Sequence, residues 1–257
     1  MTIDERLVAA GLPALARRVW LEIDLEALTN NLQAIRDHVG PDVEINAVVK
    51  ADAYGHGLVP VARHFAASGA QRLCVASLDE ALVVRGAGIA TPILVMFSIP
   101  VDAVARAAQS RIEIVASDAA TIEATLQRWR TCTTSGADVL AVHIEVETGL
   151  TRGGLMPDAV AGVARMITAT PRTRVAGIWT HLATPEDEAT SDAQEEVFAT
   201  ALGSLRAAGI EIPPRHLAAT GGLLIAEQSY EGIRPGLALY GIVPDSLAAR
   251  GRQAQLA

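Results

Sequence analysis

The chain has 257 residues, 50% hydrophobic and only 4% aromatic, with 21 Lys and Arg against 29 Asp and Glu and a net charge of −8. That length and apolar content suit one large domain with an aliphatic core, and the acidic balance argues against nucleic acid or an anionic membrane as partner. Cys74 lies in an apolar run and Cys132 in a polar stretch; far apart and without metal-ligand spacing, they predict no metal site and no oxidising compartment.

The amino terminus, Met1-Thr2-Ile3-Asp4-Glu5-Arg6, lacks the basic-then-apolar order of a signal peptide. The uncharged stretch Gly86 to Val101 is interrupted by Pro92 and Pro100 and is too short for a membrane span, so a cytoplasmic protein is expected. Residues 1–19 read as an N-terminal extension with a short helix, Asp4–Ala10, ended by Pro13. Trp20–Leu25 alternates like an extra strand and leads into a helix through His38.

From there, β-branched runs alternate with Ala- and Leu-rich segments of helical period. Strands are predicted at Glu44–Lys50, Arg72–Ser77, Pro92–Phe97, Arg111–Ala116, Ala141–Glu147, Arg174–Leu182, Arg215–Ala219 and Gly232–Gly241. Helices are predicted at Ser77–Gly86, Val101–Gln109, Asp118–Trp129, Pro157–Thr168, Ser191–Gly209 and Gly221–Gln228, with caps at Ser77, at Ser117 or Asp118, and at Ser191. Strands apolar along their whole length are those of a parallel sheet covered on both faces. Eight of them alternating with helices predict an α/β fold of the (β/α)8 TIM-barrel type over residues 20–243. No glycine-rich dinucleotide fingerprint follows the first strand, which disfavours an open doubly wound sheet. Residues 244–257 have no period and read as a tail or a hinge.

The chemistry concentrates at Ala47-Val48-Val49-Lys50-Ala51-Asp52-Ala53-Tyr54-Gly55-His56-Gly57. A lysine at the end of an apolar strand either snorkels to solvent or is put to chemical use, and one use is a Schiff base with pyridoxal phosphate. Tyr54, four residues on, is placed to turn its hydroxyl back toward the lysine's pocket.

Barrel enzymes carry their chemistry at the carboxyl ends of the strands. There lie Arg152, in the glycine-rich segment after the fifth strand, His181 after the sixth, Thr220 with Gly221-Gly222 after the seventh, and Arg234-Pro235-Gly236 at the eighth. Singly these read as a turn arginine, a barrel histidine, a helix cap, and an arginine paired with a carboxylate such as Glu231. Together with a lysine at strand one, an anion cradle between strands seven and eight is the better joint reading. Glu145 and Glu147 read as structural carboxylates, and His56 and His64 as surface residues.

The Lys50 string, together with Trp20-Leu21-Glu22-Ile23-Asp24-Leu25 and Ile233-Arg234-Pro235-Gly236-Leu237-Ala238-Leu239-Tyr240-Gly241, resembles the alanine racemases. The resemblance implies a pyridoxal 5′-phosphate enzyme that interconverts L- and D-alanine, supplying D-alanine for cell wall peptidoglycan. It implies that Lys50 carries the cofactor and is one of two catalytic bases, and that Tyr54 contacts the phosphate. Arg152 would reach the cofactor's phenolate oxygen and the substrate carboxylate, and His181 would stack on the pyridine ring. Arg234 would donate to the ring nitrogen, while Thr220 and the amides of Gly236 and Leu237 would hold the phosphate. The chain departs from the family at Glu147-Thr148-Gly149, where the family has Asp-Thr-Gly, and at Ala218-Ala219-Thr220, where it has Ala-Asn-Ser. The family also has a carboxyl-terminal β-domain whose tyrosine is the second base, delivered across a dimer interface. This chain is expected to be the barrel without it, with a homodimer left open. The alternative readings are a single-domain pyridoxal-phosphate-binding homeostasis protein and a barrel that binds a phosphate ligand without a covalent cofactor.

Overall fold

In the computed structural model eight parallel strands close into a barrel in chain order: β1 (Glu44–Val48), β2 (Arg72–Val75), β3 (Ile93–Val95), β4 (Ile112–Ala116), β5 (Leu140–Glu145), β6 (Thr173–Trp179), β7 (Arg215–Ala219) and β8 (Gly232–Arg234). The structure describes residues 1–16, 18–133, 135–225 and 230–245. Closure is made by β1, which pairs with β2 through Asn46–Arg72 and with β8 through Glu44–Gly232. The strands are buried almost throughout, as burial between helices and barrel interior requires.

The helices form the outer layer. Pro157–Thr168 shows how their sequences direct this: Val160, Val163, Ala164 and Ile167, at helical spacing, are its buried face, and Pro157 occupies the first turn, where no backbone donor is lost. Burial of each of the larger side chains contributes about 1.5–3 kcal/mol. Ser77 caps the helix Leu78–Gly86 through a reciprocal box with Glu80, and Asp118 caps Ala119–Thr131. Among the described residues no helix is long and apolar enough to cross a membrane.

Three expectations are corrected. Trp20–Leu25 is not a strand: among the described residues no strand pairs with it, and Asp24 instead caps the helix Leu25–Val39, accepting from Glu26 N at 2.9 Å and Ala27 N at 3.1 Å. The eighth strand stops at Arg234 because Pro235 has no N–H for a ladder, and the chain continues as a 3-10 helix, Leu237–Tyr240. The long helix starts at Glu188, capped by Asp187, so Ser191 lies buried inside it rather than capping it. The predicted helix Gly221–Gln228 is seen as Thr220–Ile225; its end and residues 246–257 of the expected tail lie outside the described residues.

Candidate active site

The segment after β1 takes a conformation that L-residues rarely adopt. Ala51, Asp52, Ala53 and Tyr54 have φ of 53°, 55°, 53° and 55°, a complete left-handed turn. Each such residue costs about 1–2 kcal/mol, so the turn must be held by its surroundings. Glu80 Oε1 accepts from Ala51 N at 2.7 Å, Asp52 Oδ1 accepts from Leu58 N at 2.7 Å, and Ala53 N donates to Val49 O at 2.9 Å. This turn, rather than an ordinary helix start, brings Lys50 and Tyr54 to the same cleft.

The cleft, about 350 Å³, opens at the carboxyl ends of the strands. Lys50, Tyr54, Arg152, His181, Thr220, Arg234, Gly236 and Leu237 all line it. Met96, Phe97, Trp179 and Glu186 line it too, and sequence reasoning did not single them out. Trp179 carried a usable signal, since it ends β6 two residues before His181.

One end of the cleft is narrow and polar. The Thr220 hydroxyl accepts from Gly236 N at 3.2 Å and Ala238 N at 3.1 Å, tying the end of β7 to the segment after β8. The Tyr54 hydroxyl lies against Gly236, so close that a Cβ on that residue would stand 2.5 Å from it. Burial pushes the Tyr54 phenol up, so it keeps its proton to donate. Tyr54 is backed by Tyr240, ring centroids 4.9 Å apart, and Tyr240 donates to Val48 O at 3.0 Å.

The opposite side carries Arg152, held at 3.2 Å from Glu145 Oε1 with its guanidinium over the Phe97 ring. Burial raises the Glu145 carboxyl, an effect opposed by Arg152. Glu147 shapes the loop by accepting from Gly149 N at 2.5 Å and Thr151 N at 2.9 Å. His181 is pushed down to about 3, first by burial and then by the cations of Arg234, Arg152 and Lys50. It is therefore a neutral, flat ring at physiological pH.

Arg234 forms the floor. Only 2% exposed, it donates to His216 Nδ1 and His216 O at 2.6 Å each, to Thr180 O at 2.6 Å and to Leu217 O at 3.1 Å, with Trp179 stacked 4.4 Å from its Cζ. Among the described residues no carboxylate is hydrogen-bonded to it. Glu231, the partner suggested by the sequence, pairs with Arg215 instead, because both lie at the amino ends of β7 and β8 whereas Arg234 faces the interior. Burial lowers the Arg234 guanidinium to about 10, which leaves it charged at neutral pH.

His56 and His64 are half-buried rather than on the surface: His56 packs on Tyr240, and His64 Nε2 meets Thr29 Oγ at 2.6 Å. Among the described residues no group of three or more His, Cys, Asp or Glu side chains could hold a metal ion.

The profile of the family described as "Alanine racemase, N-terminal domain" matches residues 23–244. The alanine racemase of a Synechocystis species is 38% identical over 237 residues, covering 89% of this chain and 61% of its own. Alanine racemase 2 of Bacillus subtilis is 36% identical, covering 90% and 59%. The crystal structure of the Bacillus anthracis alanine racemase with bound L-Ala-P superposes with a TM-score of 0.82 at 32% identity, covering 91% of this chain and 60% of that one. The chain thus spans about 60% of the length of these relatives.

Proposed function

Since the chain belongs to the alanine racemase N-terminal domain family, we propose that its cleft holds pyridoxal 5′-phosphate and serves the interconversion of L- and D-alanine. The observation that carries this reading is the convergence of a lysine, a buried arginine bonded to neutral acceptors and a glycine-lined polar pocket on one cleft.

The donor set fits the cofactor part by part. A phosphate suits the narrow end, where the Tyr54 and Thr220 hydroxyls and the backbone of Gly236 and Leu237 converge and where a Cβ at Gly236 would intrude. A planar nitrogen ring suits the middle, with the neutral His181 ring to stack on and Arg234 to donate to the nitrogen. Lys50 offers the amine for the carbonyl carbon. The cleft volume lies in the range of small-ligand sites.

Bound there, pyridoxal phosphate would supply an electron-withdrawing ring that stabilises negative charge at the substrate Cα. Arg234 governs how strongly it does so: a guanidinium donates a hydrogen bond without surrendering its proton, so the ring nitrogen stays unprotonated. A weaker electron sink favours prompt return of a proton to Cα, hence racemisation over transamination. Arg152 binds the substrate carboxylate, steadied by Glu145 and Phe97. Lys50 Nζ takes and returns the Cα proton on its own face.

The racemase reading is favoured over a cofactor carrier of the same barrel type by the relatives at 36–38% identity that bear the racemase name. The test is reconstitution of the chain with pyridoxal phosphate, borohydride reduction and peptide mapping, followed by chiral analysis of alanine incubated with the protein. A reduced adduct on Lys50 is expected. An adduct elsewhere, or none, refutes the cofactor assignment, and an adduct without any effect on alanine refutes the activity.

A further inference from the structure

Behind Arg234 the polar contacts do not stop at His216. His216 Nε2 lies 3.1 Å from His143 Nδ1, and His143 Nε2 lies 3.0 Å from Glu113 Oε2. Glu113 also accepts from Arg72 Nε at 2.7 Å and Arg174 at 3.2 Å. Glu113 is near the amino end of β4, so the row runs through the barrel interior from the end remote from Lys50 to the floor of the cleft. Glu113, His143, His216 and Arg234 are 6%, 1%, 3% and 2% exposed, so water cannot replace a missing partner.

The donors and acceptors admit one proton arrangement. A guanidinium only donates, so His216 Nδ1 must accept from Arg234. The His216 proton is then on Nε2 and donates to His143 Nδ1. The His143 proton is in turn on Nε2 and donates to the carboxylate of Glu113, which only accepts. Reversing either ring sets two N–H groups against each other or leaves a buried donor unpaired, which is costly where water cannot enter. Both rings are held neutral chiefly by burial, with the Arg72 cation acting on each. A protonated His216 would present a donor to Arg234.

The backbone makes room for this row. β5 breaks register at Val142/His143, and a Cβ on Gly177 would stand 2.4 Å from His143 Nδ1. An apolar barrel interior would need neither.

We propose that Glu113 and His143 are positioning residues for Arg234, acting through His216 to fix the attitude in which its guanidinium meets the cofactor ring. The link to the cofactor rests on the reading above; the proton arrangement is a property of the chain itself. Glu113 is thus a determinant of the site although it lies outside the cleft.

The test uses the 257-residue chain labelled with ¹⁵N-histidine and free of cofactor, followed by NMR from pH 5.5 to 8.5. His143 and His216 are each expected to show a protonated Nε2 and a bare Nδ1, without titrating. Besides each other, the charged groups facing them are Glu113, Arg72, Arg174 and Arg234. Glu113→Gln keeps an oxygen for His143 and should keep both tautomers, whereas Glu113→Leu should scramble them. With pyridoxal phosphate added, Glu113→Leu should shift the visible band and raise Kd at least five-fold, and Glu113→Gln should do much less. A proton on Nδ1 of either ring in the native chain, scrambled rings in Glu113→Gln, or a folded Glu113→Leu with unchanged rings, band and Kd would overturn the proposal. If Glu113→Leu does not fold, the native and Glu113→Gln spectra decide. Ordered tautomers in a chain that takes up no pyridoxal phosphate would refute the cofactor reading and leave the row's control of Arg234 standing.

Discussion

Gly236 and the Tyr54 hydroxyl occupy adjoining space, with 2.5 Å between that oxygen and the position a Cβ on Gly236 would take. Residue 236 therefore bears, through Tyr54, on the narrow end of the cleft where the phosphate is proposed to sit. Gly236→Ala is expected to displace the Tyr54 hydroxyl and weaken pyridoxal phosphate binding about ten-fold or more, equivalent to about 1.4 kcal/mol. Adding Tyr54→Phe removes the oxygen and leaves the ring carbon Cζ at 3.3 Å as the nearest neighbour. The double variant should therefore bind better than Gly236→Ala alone. A fluorescence titration of the native chain and both variants checks this, and a double variant that binds worse than Gly236→Ala would place the phosphate elsewhere.

Ala219 lines the cleft where the resembled family has an asparagine. A hydrogen bond to a charged acceptor contributes about 1.5–3 kcal/mol. Ala219→Asn is expected to tighten the affinity for pyridoxal phosphate by about ten-fold or more, with little change for pyridoxal, which has no phosphate. Comparing the two ligands by titration calorimetry separates a phosphate contact from a general change in the cleft.

The strands were legible because each is a short, largely apolar run, and the carboxyl-end rule singled out Lys50, Arg152, His181, Thr220 and Arg234, which line one cleft, whereas Tyr54 came from its spacing to Lys50 and Leu237 only from the family resemblance. Strand ends were less so: Val49 and Lys50 read as strand, but the strand stops at Val48 and the chain turns left-handed from Ala51, held there by Glu80, 29 residues on from Ala51. The row from Glu113 to Arg234 left no local trace. Its members lie singly in apolar strands, with His143 and His216 73 residues apart, and only barrel closure brings them together. The alternation at Trp20–Leu25 misled because it shows a two-faced segment without showing whether a partner strand exists.

Stability should fall on acidification well before the carboxylates protonate. His181, lowered to about 3, and His143 and His216, also lowered, are neutral when folded, while an unfolded histidine takes a proton near pH 6.5. Below that pH the unfolded state binds more protons, so stability is full above about pH 6.5 and declines as the pH drops. The slope is up to about 1.4 kcal/mol per pH unit for each such group. Glu113 and Glu231, both held near about 2, add losses in the same direction below the usual carboxylate range, and Glu145, raised by burial, opposes them. Urea midpoints measured from pH 8 to 4.5 should fall steeply below pH 6.5. His181→Phe should make that fall shallower by about one proton's worth; an unchanged slope would mean that His181 is not neutral in the folded state.

Inverting Cα requires a proton to leave one face and another to arrive on the opposite face. On the proposed reading Lys50 serves one face. The three tyrosines of the chain are engaged elsewhere: Tyr54 lies against Gly236, Tyr240 is bonded to Val48 O, and Tyr230 stacks with Arg215 and Phe198. For the 257-residue chain assayed alone with pyridoxal phosphate, exchange of the alanine Cα proton with D₂O is expected to outpace inversion by about ten-fold or more, an energetic difference of about 1.4 kcal/mol. Lys50→Ala should abolish both. Mass spectrometry of deuterium uptake alongside chiral chromatography of the same samples measures the ratio. Inversion as fast as exchange would reveal a second base within the chain, on the face away from Lys50.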